Sequence, residues 1–239
     1  MWLALETSSD RASVAVGRPG EVLAEVNLEG ARKHAGALPG LIEEALAQAG
    51  VALTALTDIV LGDGPGSFTG LRVGASVAKA LVRAHGMSLH TTPALATVAW
   101  AASPSPGERV LAVANALRGE VYAAEYRFPE GRLEVLQEPT VWLPERLLAD
   151  CPVPDVISGI VPEGLAERLA EWQSGKHPRF VRGMASAGAL LALAARHDGV
   201  VKVTDPAGWE PQYGRPAEAQ AKWEREHGQQ LPDSPGHLR

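Results

Sequence analysis

The stretch that decides the fold runs from Gly62 to Gly74 and reads GDGPGSFTGLRVG. A short apolar strand is predicted over Asp58–Leu61, immediately before this stretch. A helix is predicted over Ser67–His85, starting inside the stretch and ending at Gly86. A strand joined to a helix by a glycine-rich loop is typical of α/β proteins. The stretch therefore predicts an α/β fold in which the loop backbone comes close to another group.

One interpretation of this loop is an anion site. Glycines let backbone N–H groups approach a phosphate, and the N-terminus of the helix adds partial positive charge. The residues predicted to make such a contact are Gly64, Gly66 and Ser67. The spacing fits neither of two named phosphate motifs, because no lysine follows a Walker-type glycine pair and the Rossmann pattern has one residue fewer before its last glycine.

The other interpretation, which the sequence leaves open, is close packing. Gly66, Gly70, Gly74 and Ala78 recur every four residues, so they place small side chains on one face of the helix. Such a face lets a sheet, another helix or a partner protein approach closely.

The same order of elements is predicted twice along the chain. Residues 1–104 give three strands, a helix, a strand and a helix, and then one more strand and helix. A linker rich in proline and serine at residues 102–107 precedes a second β-β-β-α-β-α series. We therefore predict a duplicated α/β fold with mixed sheets flanked by helices, in an N-terminal lobe 1–104 and a C-terminal lobe 105–214.

Several boundaries in the second series follow from periodicity. Alternation predicts a strand over Arg132–Glu138, and helical spacing predicts helices over Pro162–Trp172 and Ser186–Arg196. A strand over Val200–Val203 precedes a polar tail, residues 215–239, which is predicted to be flexible or loosely docked.

The composition is that of an ordinary globular protein. Of 239 residues, 46% are apolar and 21% are charged, which argues against a disordered chain. The net charge of −6 excludes the global basic field that drives autonomous nucleic-acid binding. A single cysteine, Cys151, excludes a disulfide framework. Because no apolar run is long enough for a membrane span and the start lacks a signal-peptide pattern, we expect a cytoplasmic protein with no membrane partner.

Five segments carry one resemblance. They are the opening strand Leu3–Ser9, His34 at the start of the first long helix, the glycine-rich Gly64–Gly74, Arg118–Tyr122, and the Pro-x-Tyr element within Trp209–Tyr213. In these segments, spread over residues 2 to about 215, the sequence resembles the TsaB (formerly YeaZ) family of bacterial proteins, which are partners in making threonylcarbamoyladenosine on tRNA.

The resemblance implies an actin-like ATPase (ASKHA) fold in two halves, in agreement with the duplication. It also implies a non-catalytic subunit that forms a homodimer or pairs with the catalytic TsaD-type paralogue. A TsaE-type ATPase would join the larger complex, and tRNA would be served indirectly. The dimer contact would lie on the first two long helices, 35–49 and 67–85. The residues expected at this interface are Leu38, Leu41, Gly66, Gly70, Arg72, Gly74 and Ala78.

The sequence predicts no catalytic and no metal site. Catalytic relatives in this superfamily hold a metal with a His-x-x-x-His pair, and none of the seven histidines has another four residues later. Sugar-kinase-like relatives need carboxylates in glycine-containing phosphate loops, whereas the turn from Glu6 to Asp10 lacks glycine and the second loop carries Asn115. We expect no tightly bound cofactor, with ATP and Mg²⁺ bound only in a complex. The alternative function is an autonomous ATP-dependent phosphotransferase or ATPase of the actin and hexokinase superfamily.

Overall fold

A computed structural model describes residues 1–30, 34–161, 164–170, 178–214 and 227–228. The elements of the first half are β1 (Trp2–Glu6), β2 (Arg11–Arg18), β3 (Glu21–Glu29), α1 (His34–Ala49), β4 (Asp58–Gly62), α2 (Phe68–His85), β5 (Ser88–Thr92) and α3 (Ala94–Trp100). Those of the second half are β6 (Arg109–Asn115), β7 (Val121–Arg127), β8 (Glu134–Trp142), α4 (Pro144–Asp150), β9 (Val156–Gly159), α5 (Leu165–Ala170), β10 (Arg179–Val181) and α6 (Ala187–Ala194). A short strand, β11 (Val201–Lys202), follows.

The two sheets share one topology. The first has the strand order β11-β5-β4-β1-β2-β3, and the second has the order β10-β9-β6-β7-β8. In each sheet the first three strands pair antiparallel, and the next two add in parallel beside the first strand. Each half is therefore a β-β-β-α-β-α-β-α unit. This confirms the predicted duplicated α/β fold of the actin-like ATPase (ASKHA) class, with mixed sheets flanked by helices.

The central strands of the first sheet are buried on both faces. Leu3 and Leu5 of β1 and Leu61 of β4 pack in one cluster with residues of α1 and α2. On the opposite face, Ala4 and Val60 pack against α6. This two-sided burial explains why these strands are short continuous apolar runs rather than alternating patterns.

The last helix of each half packs on the sheet of the other half. Leu190 and Leu191 of α6 contact the first sheet, whereas Leu95 and Val98 of α3 join the core of the second sheet. Strand β11 then extends the first sheet, antiparallel to β5. The predicted lobe boundary after residue 104 falls in the loop between α3 and β6, and the elements from α6 onward return to the first sheet.

Side chains of the first sheet cap the N-terminus of α6. Ser13 Oγ accepts a hydrogen bond from the Ala187 N–H at 2.9 Å and donates one to Glu25 Oε1 at 2.7 Å. The same Glu25 oxygen accepts from the Gly188 N–H at 3.2 Å. These acceptors satisfy two of the N–H groups that a helix leaves unpaired at its start, so the first sheet fixes the position of α6.

Some boundaries in the second half differ from the sequence assignments. The strand predicted over Arg132–Glu138 begins two residues later and continues to Trp142, since it pairs along β7 up to that residue. Strand β10 was not predicted, because three residues are too few to show a period. The helix predicted over Pro162–Trp172 appears as α5, and its two ends lie outside the described residues, as does nearly all of 215–239. Within the described part of the chain, no helix has the length and apolarity to cross a membrane.

Candidate functional site

The glycine-rich loop and the start of α2 pack tightly on the turn that follows β1. A Cβ atom at Gly66 would overlap the carbonyl oxygen of Ser8, and one at Gly70 would overlap the carbonyl oxygen of Thr7. A Cβ at Gly74 would overlap the Thr7 hydroxyl. The small-residue face of α2 therefore lets the helix approach the backbone of the first sheet, which is the packing interpretation of the motif.

The groups predicted to hold an anion have partners within the chain. Ser67 caps α2, because its Oγ accepts from the Gly70 N–H at 3.2 Å, while the Ser67 N–H donates to the Ser8 carbonyl at 2.7 Å. The Gly64 carbonyl accepts from the Ala94 N–H at 2.8 Å. Gly64 also has a φ of +108°, a conformation that favours glycine. Anion binding at Gly64, Gly66 and Ser67 stays a prediction.

Most of the residues expected at a partner interface lie inside the chain. Leu38, Leu41, Gly70, Gly74 and Ala78 are buried, and Gly66 is half-buried. The physical reason is that α1 and the small-residue face of α2 cover the first sheet. These five residues therefore pack within the single chain, and their part in a partner interface stays a prediction. Arg72 is the exception, since it lies exposed on α2.

The outer face of α2 carries a shallow groove. It measures about 470 Å³ and is lined by Phe68, Thr69, Arg72, Val73, Ser76 and Val77. Phe68 is 37% exposed although it is a large apolar side chain. Exposed aromatic and aliphatic groups beside an arginine are the composition that protein interfaces favour.

A C-terminal segment borders this groove. The Tyr213 ring lies 4.7 Å from the ring of Phe68, and Arg72 Nε donates to the Tyr213 hydroxyl at 3.4 Å. A second groove of about 250 Å³ lies between α2 and this segment, and its lining includes Arg72, Lys79 and Glu210. The interface residues chosen from the sequence did not include Phe68 or Tyr213. The available signal was that both lie in segments that carry the family resemblance.

Two acids lie buried at the ends of β1 and β4. Glu6 is 0% exposed, and its Oε1 accepts from the Ser8 N–H at 2.8 Å while its Oε2 has no partner. Burial raises the pKa of Glu6 above its usual value. Burial likewise raises the pKa of Asp63 to about 7, a hydrogen bond from Thr91 opposes the shift, and the nearby Glu6 adds to it. Both carboxyls face the interior of the fold rather than solvent.

The second-half turn at Asn115 is held by its own side chain. Asn115 Oδ1 accepts from the Leu117 N–H at 2.7 Å. Leu117, Arg118 and Gly119 all have positive φ, and Leu117 is 69% exposed. Among the residues that the structure describes, no three His, Cys, Asp or Glu side chains group so as to hold a metal ion. That the chain lacks a metal site and a catalytic residue stays a prediction.

Comparison with known proteins gives the family. Residues 21–197 match the family model of TsaD, the tRNA N6-adenosine threonylcarbamoyltransferase. A solved protein from Pseudomonas aeruginosa, described as similar to the peptidase YeaZ, is 30% identical with a TM-score of 0.75, over 90% of this chain and 99% of that one. The chain belongs to the TsaB (YeaZ) family.

Two curated TsaB proteins match over different lengths. The Escherichia coli K12 protein, a tRNA threonylcarbamoyladenosine biosynthesis protein, is 36% identical over 129 residues, 54% of this chain and 55% of its own. The Bacillus subtilis 168 protein of the same name is 26% identical over 234 residues, 92% of this chain and 96% of its own. The match to the first therefore spans about half the length of that relative.

Four of the segments that carry the TsaB resemblance meet in space. The turn after β1 holds the glycine-rich loop through the bond from Ser67 to Ser8. The Gln212 N–H donates to the Asp63 carbonyl at 2.7 Å, and the Tyr122 hydroxyl donates to the Tyr213 carbonyl at 3.3 Å. The TsaB segments thus form one contiguous structure around the start of α2.

Proposed function

We propose that the chain is a non-catalytic subunit in the synthesis of threonylcarbamoyladenosine at position 37 of tRNA. In this role it pairs with the catalytic TsaD-type paralogue and activates it. The family of the chain supports this role, since the similar E. coli and B. subtilis proteins are named for this biosynthesis. The match to the TsaD family model supports a common origin with the proposed partner.

The observation that carries the pairing is the outer face of α2. Its groove combines exposed Phe68 with the side chains of Val73 and Val77, and α1 packs beside it in the same core cluster. Phe68 contacts Tyr213 and Arg72 within the chain but stays partly exposed, and a partner that covers it would remove the rest of its apolar surface from water. The interface therefore consists of the outer faces of α1 and α2, with the glycines of α2 supporting it from inside.

The non-catalytic role is supported by the packing around the turn after β1. In catalytic members of the superfamily the turn after the first strand approaches a phosphate. Here that turn lies under the glycine-rich loop, and Glu6 is buried with a raised pKa. Because this carboxyl is buried beneath the loop, it is not accessible to Mg²⁺ from solvent, and ATP and Mg²⁺ would be bound in the complex rather than by this chain alone.

The same surface serves more than one assembly. A homodimer and the heterodimer with the TsaD-type subunit compete for the outer face of α2, and a TsaE-type ATPase joins the larger complex. Because the net charge of the chain is −6, tRNA is contacted by the assembled complex rather than by this subunit alone. The work is done in the cytoplasm, where tRNA is modified.

Reconstitution tests this function. The purified chain is mixed with the TsaD-type subunit of the same organism, pairing is followed by analytical ultracentrifugation, and modified adenosine on tRNA is measured with the remaining components present. We expect a heterodimer, and modification that requires both subunits. Micromolar ATP binding with turnover by the isolated chain, without pairing, would instead establish the autonomous phosphotransferase.

A further inference from the structure

A segment near the C-terminus crosses the exposed side of α2. Residues 203–214, here called the strap, begin where the Val203 N–H donates to the Leu89 carbonyl at 2.9 Å. The strap then bonds to the loop at Asp63 and to Tyr122 of the second sheet. It is therefore fixed to both halves of the fold at the edge of the proposed partner surface.

The strap holds one arginine of α2 in place. The guanidinium carbon of Arg72 lies 4.4 Å from the centre of the Phe68 ring and 5.8 Å from the centre of the Tyr213 ring. Arg72 Nε donates to the Tyr213 hydroxyl at 3.4 Å. Contact with two rings and a hydroxyl restricts a side chain that is otherwise rich in rotamers.

The positive charge of Arg72 has no carboxylate partner among the described residues. The Tyr213 hydroxyl donates to Glu210 Oε2 at 3.2 Å, and Lys79 Nζ pairs with Glu210 Oε1 at 3.3 Å. The Glu210 carboxylate is thus already paired with Lys79, and none of the described carboxylates forms an ion pair with Arg72. Arg72 lines both grooves of α2, so its guanidinium lies at the surface where a partner would bind.

We infer that Arg72 receives a carboxylate of the partner protein, and that Tyr213 is the positioning residue that sets Arg72 for this contact. The inference rests on the proposed function and adds the strap to the partner surface. Its chemistry commits to an acidic side chain flanked by apolar groups, since the groove beside Arg72 is lined by Phe68 and Val73. Two terminal N–H groups in a fixed plane match the two oxygens of a carboxylate.

Pre-positioning gives the contact its strength. A free arginine loses rotamer entropy when it binds a carboxylate, and this loss reduces the net attraction. Tyr213 removes that loss before the partner arrives, and its bond to Glu210 in turn fixes the ring. The effect of Tyr213 on pairing therefore depends on the presence of Arg72.

A double-mutant cycle tests this dependence. The affinity of the full chain for the purified TsaD-type subunit is measured by calorimetry for Arg72→Ala, Tyr213→Phe, Tyr213→Ala and the double variant Arg72→Ala with Tyr213→Ala. Arg83→Ala is the matched control, because it removes the same charge from an exposed position on the last turn of α2. Thermal unfolding of every variant reports whether the fold is kept.

We expect Arg72→Ala to weaken pairing by about tenfold, Tyr213→Ala by a similar factor, and Tyr213→Phe by about threefold. The double variant should bind no more weakly than Arg72→Ala, and Arg83→Ala should stay within about twofold of the wild type. Affinity should also fall less steeply with NaCl once Arg72 is removed. A purely structural role of Tyr213 would not produce this coupling or this change in salt dependence.

Two results would overturn the inference alone. They are wild-type affinity in Tyr213→Phe and Tyr213→Ala, or effects of Arg72 and Tyr213 that simply add. If Tyr213→Ala unfolds, Tyr213→Phe alone decides the question by the same criteria. If the wild-type chain does not bind the TsaD-type subunit at all, the proposed function fails and the inference fails with it.

Discussion

The inner and outer faces of α2 are built from the same eleven-residue motif and yet meet opposite surroundings. On the inner face, Gly70 and Gly74 lie against the backbone and side chain of Thr7 with no room for a methyl group. On the outer face, Phe68 and Arg72 are exposed beside a groove. The glycines meet the turn of the first sheet, whereas the large side chains contact the strap at the surface.

The two faces show that residues of one motif can meet two different requirements, close packing in the fold and contact at the surface. The small residues satisfy a steric condition of folding, because a helix must lie close to a sheet turn. The exposed aromatic and the arginine face no such condition, and we propose that they contact a partner. Changes on the inner face should therefore alter stability, and changes on the outer face should alter pairing.

The largest effect is expected on the inner face. Gly70→Ala places a Cβ on the Thr7 carbonyl oxygen, which belongs to backbone and moves only with the whole turn. We expect a loss of about 3 kcal/mol in the free energy of unfolding, measured by urea denaturation.

The control for this change is Gly40→Ala on α1, where a Cβ would meet nothing within 4 Å. That substitution should stabilise the helix by about 0.5–1 kcal/mol, because alanine loses less backbone entropy than glycine. Equal effects of the two substitutions would show that the inner face is not closely packed.

The next effect separates pairing from folding. Ser76→Arg adds a bulky charge to an exposed position in the groove of α2, where no core contact is lost. We expect pairing with the TsaD-type subunit to weaken on the order of 100-fold, since the charge must be buried without a partner, while the unfolding temperature stays within a few degrees of the wild type.

The same substitution at Ser105, an exposed residue between α3 and β6, is the matched control. Ser105→Arg should sediment with the TsaD-type subunit as the wild-type chain does. Normal pairing by Ser76→Arg would remove the outer face of α2 from the interface.

The stability of the fold is expected to depend on pH through Asp63, which is buried in the loop before α2. The pKa of Asp63 is raised from 3.8 to about 7, so between these values the folded chain holds a proton that the unfolded chain has lost. Stability should fall as pH rises through this window and level off above about pH 7. Asp63→Asn cannot ionise, so its stability relative to wild type should grow by about 2 kcal/mol between pH 5 and pH 8.

Urea unfolding at several pH values checks this change. The control is Glu130→Gln, which removes a carboxylate from the exposed turn between β7 and β8. Its free energy of unfolding should change with pH in parallel with that of the wild type. Parallel curves for Asp63→Asn as well would mean that Asp63 stays ionised in the fold.

The smallest effect is expected on the outer face. Glu210→Gln breaks the ion pair with Lys79. The Glu210 side chain is 66% exposed and the Lys79 side chain is 26% exposed. Exposed pairs contribute little, so thermal unfolding should change by less than about 1 kcal/mol and the change should vanish at high salt. Glu21→Gln breaks the exposed pair with Arg18 and should have a similarly small effect. A loss of several kcal/mol at Glu210 alone would show that the strap stabilises the monomer.

The sequence was informative about the fold because the fold repeats. Three strands, a helix, a strand and a helix occur twice with clear periods, and the 102–107 linker separates the two series. Strand β10 and the crossing of α3 and α6 were not predicted. Periodicity reports that a face of Leu190 and Leu191 is apolar and does not report which sheet covers it.

The site was predicted less well, for a physical reason. A row of glycines indicates a close approach without identifying the approaching group, and here that group is the turn at Thr7 and Ser8. Phe68 lay within the recognised motif, but an aromatic side chain has the same pattern in a core as on a surface. The pairing of Arg72 with Tyr213 joins residues 141 positions apart, which no local pattern connects.

The caps on α6 decide how the chain can be divided. A fragment ending at residue 104 would carry strands β1 to β5 of the first sheet. It would lack β11 and the helix that covers Ala4, Ala15 and Val60. It would also leave Ser13 and Glu25 without the N–H groups that they bind. The N-terminal lobe is therefore completed by α6, a helix that comes from the second half of the chain.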